Sequence, residues 1–201
     1  EIRLSLVGSE MCIRDSTVTA RIGRVVHADV VPGLTPLVGA PTATPVPVSP
    51  DLFRAVLAET AVAVDDTAEL DSALDGESTV LVLGQYLSAL GLVSEGEEIA
   101  LQKEMIDRAA SRRPQHIVFK PHPAAPPRLS DALRDRARVH GIDFREYRGA
   151  LAAEMLAERI DATAVIAGFS TALPTVQALF GREIDAVGAD TVLARLTPYE
   201  N

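Results

Sequence analysis

Thr79-Val80-Leu81-Val82-Leu83 is an unbroken apolar run closed by Gly84. A strand with one wet face alternates apolar and polar residues, whereas a strand covered on both faces does not. The run therefore requires packing partners above and below it. The same punctuation recurs downstream. Residues 117–119, 142–144, 163–167 and 183–187 read as further strands. Residues 97–112, 129–139, 150–159 and 170–180 read as helices between and after them; in the first, Ile99, Met105, Ile106 and Ala109 fall at helical spacing. Strands alternating with helices predict an α/β fold with a parallel sheet covered on both faces.

Of the 201 residues, 47% are apolar, enough to build a core of ordinary size. The formal net charge of -9 argues against a general nucleic-acid binder, which needs a basic face. It does not argue against one small anion in a local pocket. The single cysteine, Cys12, allows no disulfide within the chain, which fits a reducing compartment. No run reaches the roughly 18 apolar residues needed to span a bilayer. No basic segment followed by an apolar one opens the chain as a signal peptide would.

The segment before Thr79 is less regular. Ser5 to Asp15 (SLVGSEMCIRD) resembles the peptide obtained when a common sequencing-library adapter is translated. Residues 1–16 are therefore set aside, with a metagenomic reading frame whose true beginning is lost as the implication. The alternative is a real strand, Ile2 to Val7. Residues 21–31, rich in Val and Ile, read as a strand. Pro32, Pro36, Pro41, Pro45, Pro47 and Pro50 then forbid a helix and suit an extended connection. Residues 51–58 read as a short helix capped by Ser49 or Asp51. The expected division is 1–16 adapter, 17–50 remnant of an N-terminal domain with a Pro-rich linker, and 51–201 the α/β domain.

In a doubly wound sheet, ligands sit beyond the carboxyl ends of the strands. Four loops are thereby singled out: Gly84-Gln85-Tyr86, Lys120 to Pro123, Glu146 to Gly149, and Gly168-Phe169-Ser170-Thr171. Lys120-Pro121-His122-Pro123 holds an imidazole between two prolines, so the backbone is stiff and the ring is presented in one direction. Such a histidine can hydrogen-bond a phosphate oxygen or protonate a leaving group. Its bland counterpart is a rigid connector with an exposed ring. Gly168 permits a tight turn, and Ser170 or Thr171 then opens a helix whose N–H groups and hydroxyls suit an anion. Simple helix capping explains the same residues. Glu154 is a candidate for ribose hydroxyls or merely a solvated helix charge. Gln85 and Tyr86 are candidates for donor or acceptor contact, with core packing the alternative for Tyr86. His27, His116 and His140 have no partner at metal-ligand spacing and read as structural. Asp65-Asp66 reads as a turn or helix start, and Glu95 to Glu98 as a cap and first helical turn.

Val80-Leu81-Val82-Leu83-Gly84-Gln85, Phe119-Lys120-Pro121-His122-Pro123 and Gly168-Phe169-Ser170-Thr171-Ala172-Leu173, in that order, resemble the C-terminal half of bacterial sialyltransferases and polysialyltransferases. These enzymes carry a His-Pro motif and a Ser-Ser or Ser-Thr motif. The resemblance covers roughly residues 78–190. It implies the Rossmann-like, nucleotide-binding half of a GT-B glycosyltransferase that moves sialic acid from CMP-sialic acid to a capsular polysaccharide or lipo-oligosaccharide. His122 would contact the CMP phosphate and assist its departure. Lys120, Pro123, Ser170 and Thr171 would complete the phosphate site, and Gly84, Gln85 and Glu154 would face the donor. No metal or other cofactor is implied, because histidine and hydroxyls would do a cation's work. The implied partners are the nucleotide-sugar donor and a glycan acceptor, in a cytoplasmic enzyme open to peripheral association with the inner face of the bacterial membrane.

One departure matters. The family also carries an acidic Asp/Glu-Asp/Glu-Gly motif supplying the general base. Asp65-Asp66 is followed by Thr67, and Asp75-Gly76 is preceded by Leu74. The motif is therefore expected upstream of this sequence, and the chain is expected to bind CMP weakly without transferring sugar. Two other readings stand beside this one: a different GT-B transferase or a sugar epimerase using UDP or CDP donors, and a non-catalytic doubly wound domain.

Overall fold

The computed structural model describes residues 23–31, 43–62, 64, 67, 70, 74 and 76–196. The chain divides into two compact units, residues 1–57 and 58–201. The Asp65-Asp66 pair and residues 1–16 lie outside the described residues.

In the first unit, β1 (Arg24–Ala28) pairs in parallel with β2 (Thr44–Val48). This corrects part of the reading of residues 32–50 as connection only: their described end is a strand. Its sequence, TPVPV, pairs because Pro45 and Pro47 are two residues apart, so both missing N–H groups lie on the side away from β1. The Thr44 amide, on the other side, donates to Gly23 O at 3.0 Å. Helix α1 (Pro50–Val62) follows, longer than predicted. Ser49 caps it: its Oγ accepts from Leu52 N at 3.3 Å, with Pro50 in the first turn.

The second unit is a five-stranded parallel sheet in the order β5-β4-β3-β6-β7. The strands are β3 (Thr79–Leu83), β4 (His116–Lys120), β5 (Asp143–Glu146), β6 (Ala164–Ala167) and β7 (Glu183–Ala186). A 3₁₀ turn, Leu87–Leu90, and helix α2 (Glu95–Ser111) join β3 to β4. The other connections are α3 (Pro127–Val139), α4 (Ala153–Arg159) and α5 (Ala172–Phe180). A last helix, α6 (Ala189–Leu196), was not foreseen.

Local chemistry sets the helix ends. Ser94 Oγ accepts from Glu97 N while the Glu97 carboxylate accepts from Ser94 N at 2.7 Å, a reciprocal cap on α2. Pro126 and Pro127 open α3, where a missing N–H costs nothing.

The strand order fixes the layers. Right-handed crossovers from β3 through β4 to β5 put α2 and α3 on one face; reversing direction to reach β6 and β7 puts α4 and α5 on the other. On the first face Val80, Val82, Ile117, Phe119, Ala164 and Ile166 pack with Met105, Ile106 and Ala109 of α2 and Leu133 and Ala137 of α3. Leu81, Val118 and Val165 point to the opposite face by strand alternation and are equally buried. Each such side chain contributes roughly 1.5–3 kcal/mol. That is why the four residues Val80 to Leu83 are all apolar, whichever face they point to, while the buried Thr79 at the strand start satisfies its hydroxyl on Glu77 O at 3.0 Å.

A candidate anion crevice at the switch point of the sheet

The connections diverge where β3 lies between β4 and β6. The exit loops of these three strands therefore share one edge, beside the crevice where a doubly wound sheet takes its ligand. At about 4.8 Å between neighbouring strands, the His-Pro loop after β4 and the Ser-Thr loop after β6 are roughly 10 Å apart at their strand ends, with Gly84 between them.

Gly84 donates to Lys120 O at 2.8 Å, continuing the ladder one residue past β3. A Cβ there would sit 3.1 Å from Pro121 Cα and closer still to the Phe119 ring. The absence of a side chain lets the His-Pro loop lie directly against the end of β3. Pro121 is buried while His122 and Pro123 are exposed. His122 Nδ1 accepts from Ala124 N at 3.2 Å, which places the proton of a neutral ring on Nε2. That nitrogen is the one able to donate outward. The Tyr86 ring stands 6.4 Å from the imidazole, tilted by 46°.

On the far side of β3, Ser170 is half-buried and Thr171 exposed. Ser170 Oγ accepts from Ala172 N at 3.2 Å and keeps its own proton to donate. Thr171 makes no side-chain cap bond, so its hydroxyl is not spent on the helix; its carbonyl accepts from Thr175 Oγ1 at 2.9 Å. Capping thus accounts for Ser170 and leaves Thr171 unexplained.

Two candidates point elsewhere. Lys120 Nζ donates to Gly149 O at 3.1 Å and stands 4.9 Å from the Tyr147 ring centroid, so its ammonium is held toward the loop after β5. Gln85 is buried, and its Nε2 donates inward to Phe169 O. It ties the β3 and β6 exit loops together instead of facing solvent. Glu154 lies in the first turn of α4, half-buried, where the helix N-terminus favours a carboxylate; that turn follows the exit of β5 at the same edge.

Two other histidines belong to this unit, His116 and His140. His116 begins β4, at the opposite end of the strand from His122, with Nδ1 2.8 Å from Asp143 and Nε2 2.7 Å from Glu77. His140 Nε2 lies 2.7 Å from Asp107, and His27 lies in the first unit. Among the described residues no group of three or more His, Cys, Asp or Glu side chains could hold a metal ion. A hollow lined by Leu74, Glu77, Ser78, Arg159, Ile160 and Thr163 lies at the opposite edge, where β3 and β6 begin.

Sequence reasoning missed three features. Phe169 is 45% exposed in the loop after β6. Glu98, read as part of a solvated helix start, is fully buried, and so is Gln102 one turn on. The signal was present: Glu98, Gln102, Met105, Ile106 and Ala109 form the inward stripe of α2, with polar residues at two core positions.

The fold defines a Rossmann-like α/β domain whose strand-exit edge carries the Ser170 and Thr171 hydroxyls and the His122 imidazole. The family model for alpha-2,8-polysialyltransferase (POLYST) matches residues 4–184, and the chain belongs to that family. It is thus a sialyltransferase-type glycosyltransferase. The matched span takes in residues 4–16 as well as all three motifs. No curated protein matches the chain significantly. Among the described residues no helix is long and apolar enough to cross a membrane.

Proposed function

We propose that the chain is the nucleotide-binding half of a GT-B enzyme that transfers sialic acid from CMP-sialic acid to a cell-surface glycan, and that this half alone binds CMP without transferring sugar. His122, Ser170 and Thr171 bind the CMP phosphate from the two sides of β3, and Glu154 takes the ribose hydroxyls. The observation that carries this reading is the strand order, which brings the exits of β4 and β6 to either side of Gly84. As CMP leaves, negative charge grows on its phosphate. Donors already fixed at that point stabilise the charge without having to reorganise. With Nδ1 accepting from Ala124 N, His122 presents Nε2 to the phosphate as a hydrogen-bond donor. The reading needs no metal ion.

Calorimetry with CMP tests it. A hydrogen bond to a charged group is worth about 1.5–3 kcal/mol, so His122→Ala should weaken CMP by at least about tenfold. Equal affinity for the wild type and His122→Ala would remove His122 from the site.

A further inference from the structure

Three buried polar side chains run from α2 to the crevice without reaching solvent. Glu98 accepts from Leu87 N at 2.8 Å, from Ser88 N at 3.0 Å, from the Ser88 hydroxyl and from Gln102 Nε2 at 3.3 Å. Gln102 Nε2 also donates to Gln85 O at 3.0 Å. Gln85 Nε2 in turn donates to Phe169 O. The chain of bonds thus crosses from α2 to the exit of β3 and on to the exit of β6.

Burying these groups is costly, and the cost is not fully recovered. Gln85 Oε1 and Gln102 Oε1 have no hydrogen-bond partner among the described residues. Apolar side chains of the same shape would stabilise such a core as well or better. What the polar groups supply is direction. Both protons of the Gln102 amide are used, one on Glu98 and one on Gln85 O, and flipping the amide would set its oxygen against two other oxygens. Glu98 therefore fixes which way Gln102 points, and Gln102 fixes the Gln85 main chain.

The last bond decides the orientation of one peptide group. A trans peptide is planar, with its C=O and N–H pointing in opposite directions. Holding Phe169 O against the buried Gln85 amide turns the N–H of the same peptide, that of Ser170, away from the interior. We infer that Glu98, Gln102 and Gln85 are positioning residues that aim the Ser170 main-chain amide at the phosphate, adding a donor beside the Ser170 and Thr171 hydroxyls. This rests on the phosphate site proposed above.

The test uses near-isosteric variants of the whole chain, Gln102→Met and Gln85→Met, with Ile106→Val on the same helix as a control that loosens the core without touching the bonds. Two readouts are needed. The first is the slowing of Ser170 amide hydrogen exchange by CMP, expected in the wild type and in Ile106→Val and about tenfold weaker in both Met variants. The second is the ratio of cytidine to CMP dissociation constants, which isolates the phosphate. It should fall about tenfold in both Met variants while cytidine affinity itself stays unchanged. A merely structural role would lower the melting temperature and leave the ratio alone. Should Gln102→Met fail to fold, Gln85→Met decides. A wild-type preference for CMP that survives in the Met variants overturns this inference alone; a wild type that binds cytidine as well as CMP overturns the phosphate site and the inference together.

Discussion

Gly84→Ala is the sharpest test of how the crevice is built, because its effect follows from contact distances alone. The new Cβ would lie 2.6 Å from Phe119 Cζ, 2.9 Å from Phe119 Cε2 and 3.1 Å from Pro121 Cα. Comfortable carbon contacts are about 3.5–4.0 Å, so something must move by most of an ångström. Phe119 has nowhere to go: it is buried and stacks on Phe144 with ring centroids 5.8 Å apart. The remaining freedom is in Pro121, and moving it moves His122. Overpacking of this kind costs about 1–3 kcal/mol, against which alanine recovers about 0.4–1 kcal/mol by restricting the unfolded chain. The net loss of about 1–2 kcal/mol should lower Tm by roughly 3–8 °C for a unit of this size. CMP affinity, read by calorimetry, should fall with it. Phe119→Leu added to Gly84→Ala should restore part of the stability, because the smaller side chain removes the nearest clash; the two changes are in contact and should not be additive. An unchanged Tm and CMP affinity in Gly84→Ala, or strict additivity in the pair, would refute the close approach of the loop to β3.

Two further outcomes are expected. Asp107 accepts from Arg136 at 2.6 and 2.7 Å and lies 2.7 Å from His140, and the Arg136 guanidinium holds its carboxyl below the ordinary value. A lowered folded pKa gives stability that is present above the unfolded value of about 3.9 and lost as pH falls through the folded one. Asp107→Asn should therefore cost about 0.5–1 kcal/mol in urea denaturation at pH 7, discounted for a partly exposed pair, with the difference from wild type vanishing as pH falls through the lowered carboxyl value. His116→Phe removes the ring that bridges Glu77 and Asp143 and should cost about 1–3 kcal/mol by the same assay. It should leave CMP affinity unchanged, since His116 and the exit of β4 are about 13 Å apart along the strand; a loss of CMP affinity would show the two ends of the sheet to be coupled.

The sheet was legible because β3, β4 and β6 hold short apolar runs closed by Gly84, by Lys120-Pro121 and by Gly168, and such runs have few other structures open to them. The strand boundaries fell within a residue or two. What escaped shares one cause: it depends on which way a side chain turns once the regular element has ended. Gln85 stands one residue past the last ladder bond of β3, where alternation no longer dictates a face, and it turned inward. Lys120, the last residue of β4, was free to lean toward β5 or β3, and the Gly149 carbonyl and the Tyr147 ring drew it toward β5. Pro45 and Pro47 hid β2 because proline density is read as a break, although two prolines at even spacing leave one edge of a strand intact. The last helix, α6, carries only two turns of pattern, too few for periodicity to declare itself.

The strand order carries more of the function than any single residue. Had the chain run on in one direction, with β6 beside β5, the His-Pro and Ser-Thr loops would still have been two strands apart. The loop between them would then have been Tyr147-Arg148-Gly149, and every helix would have lain on one face, leaving no gap at the strand exits. Reversal puts β3 in the middle. The residue between the two motifs becomes Gly84, which has no side chain to obstruct them, and the helices part to opposite faces between β3 and β6, α2 and α3 to one side and α4 and α5 to the other. Gln85, next in sequence, then needs only one hydrogen bond to bind the β6 exit to the β3 exit. A glycine that admits the His-Pro loop and a glutamine that holds the Ser-Thr loop are thus adjacent for a topological reason: only the central strand of a reversed sheet has both loops as neighbours.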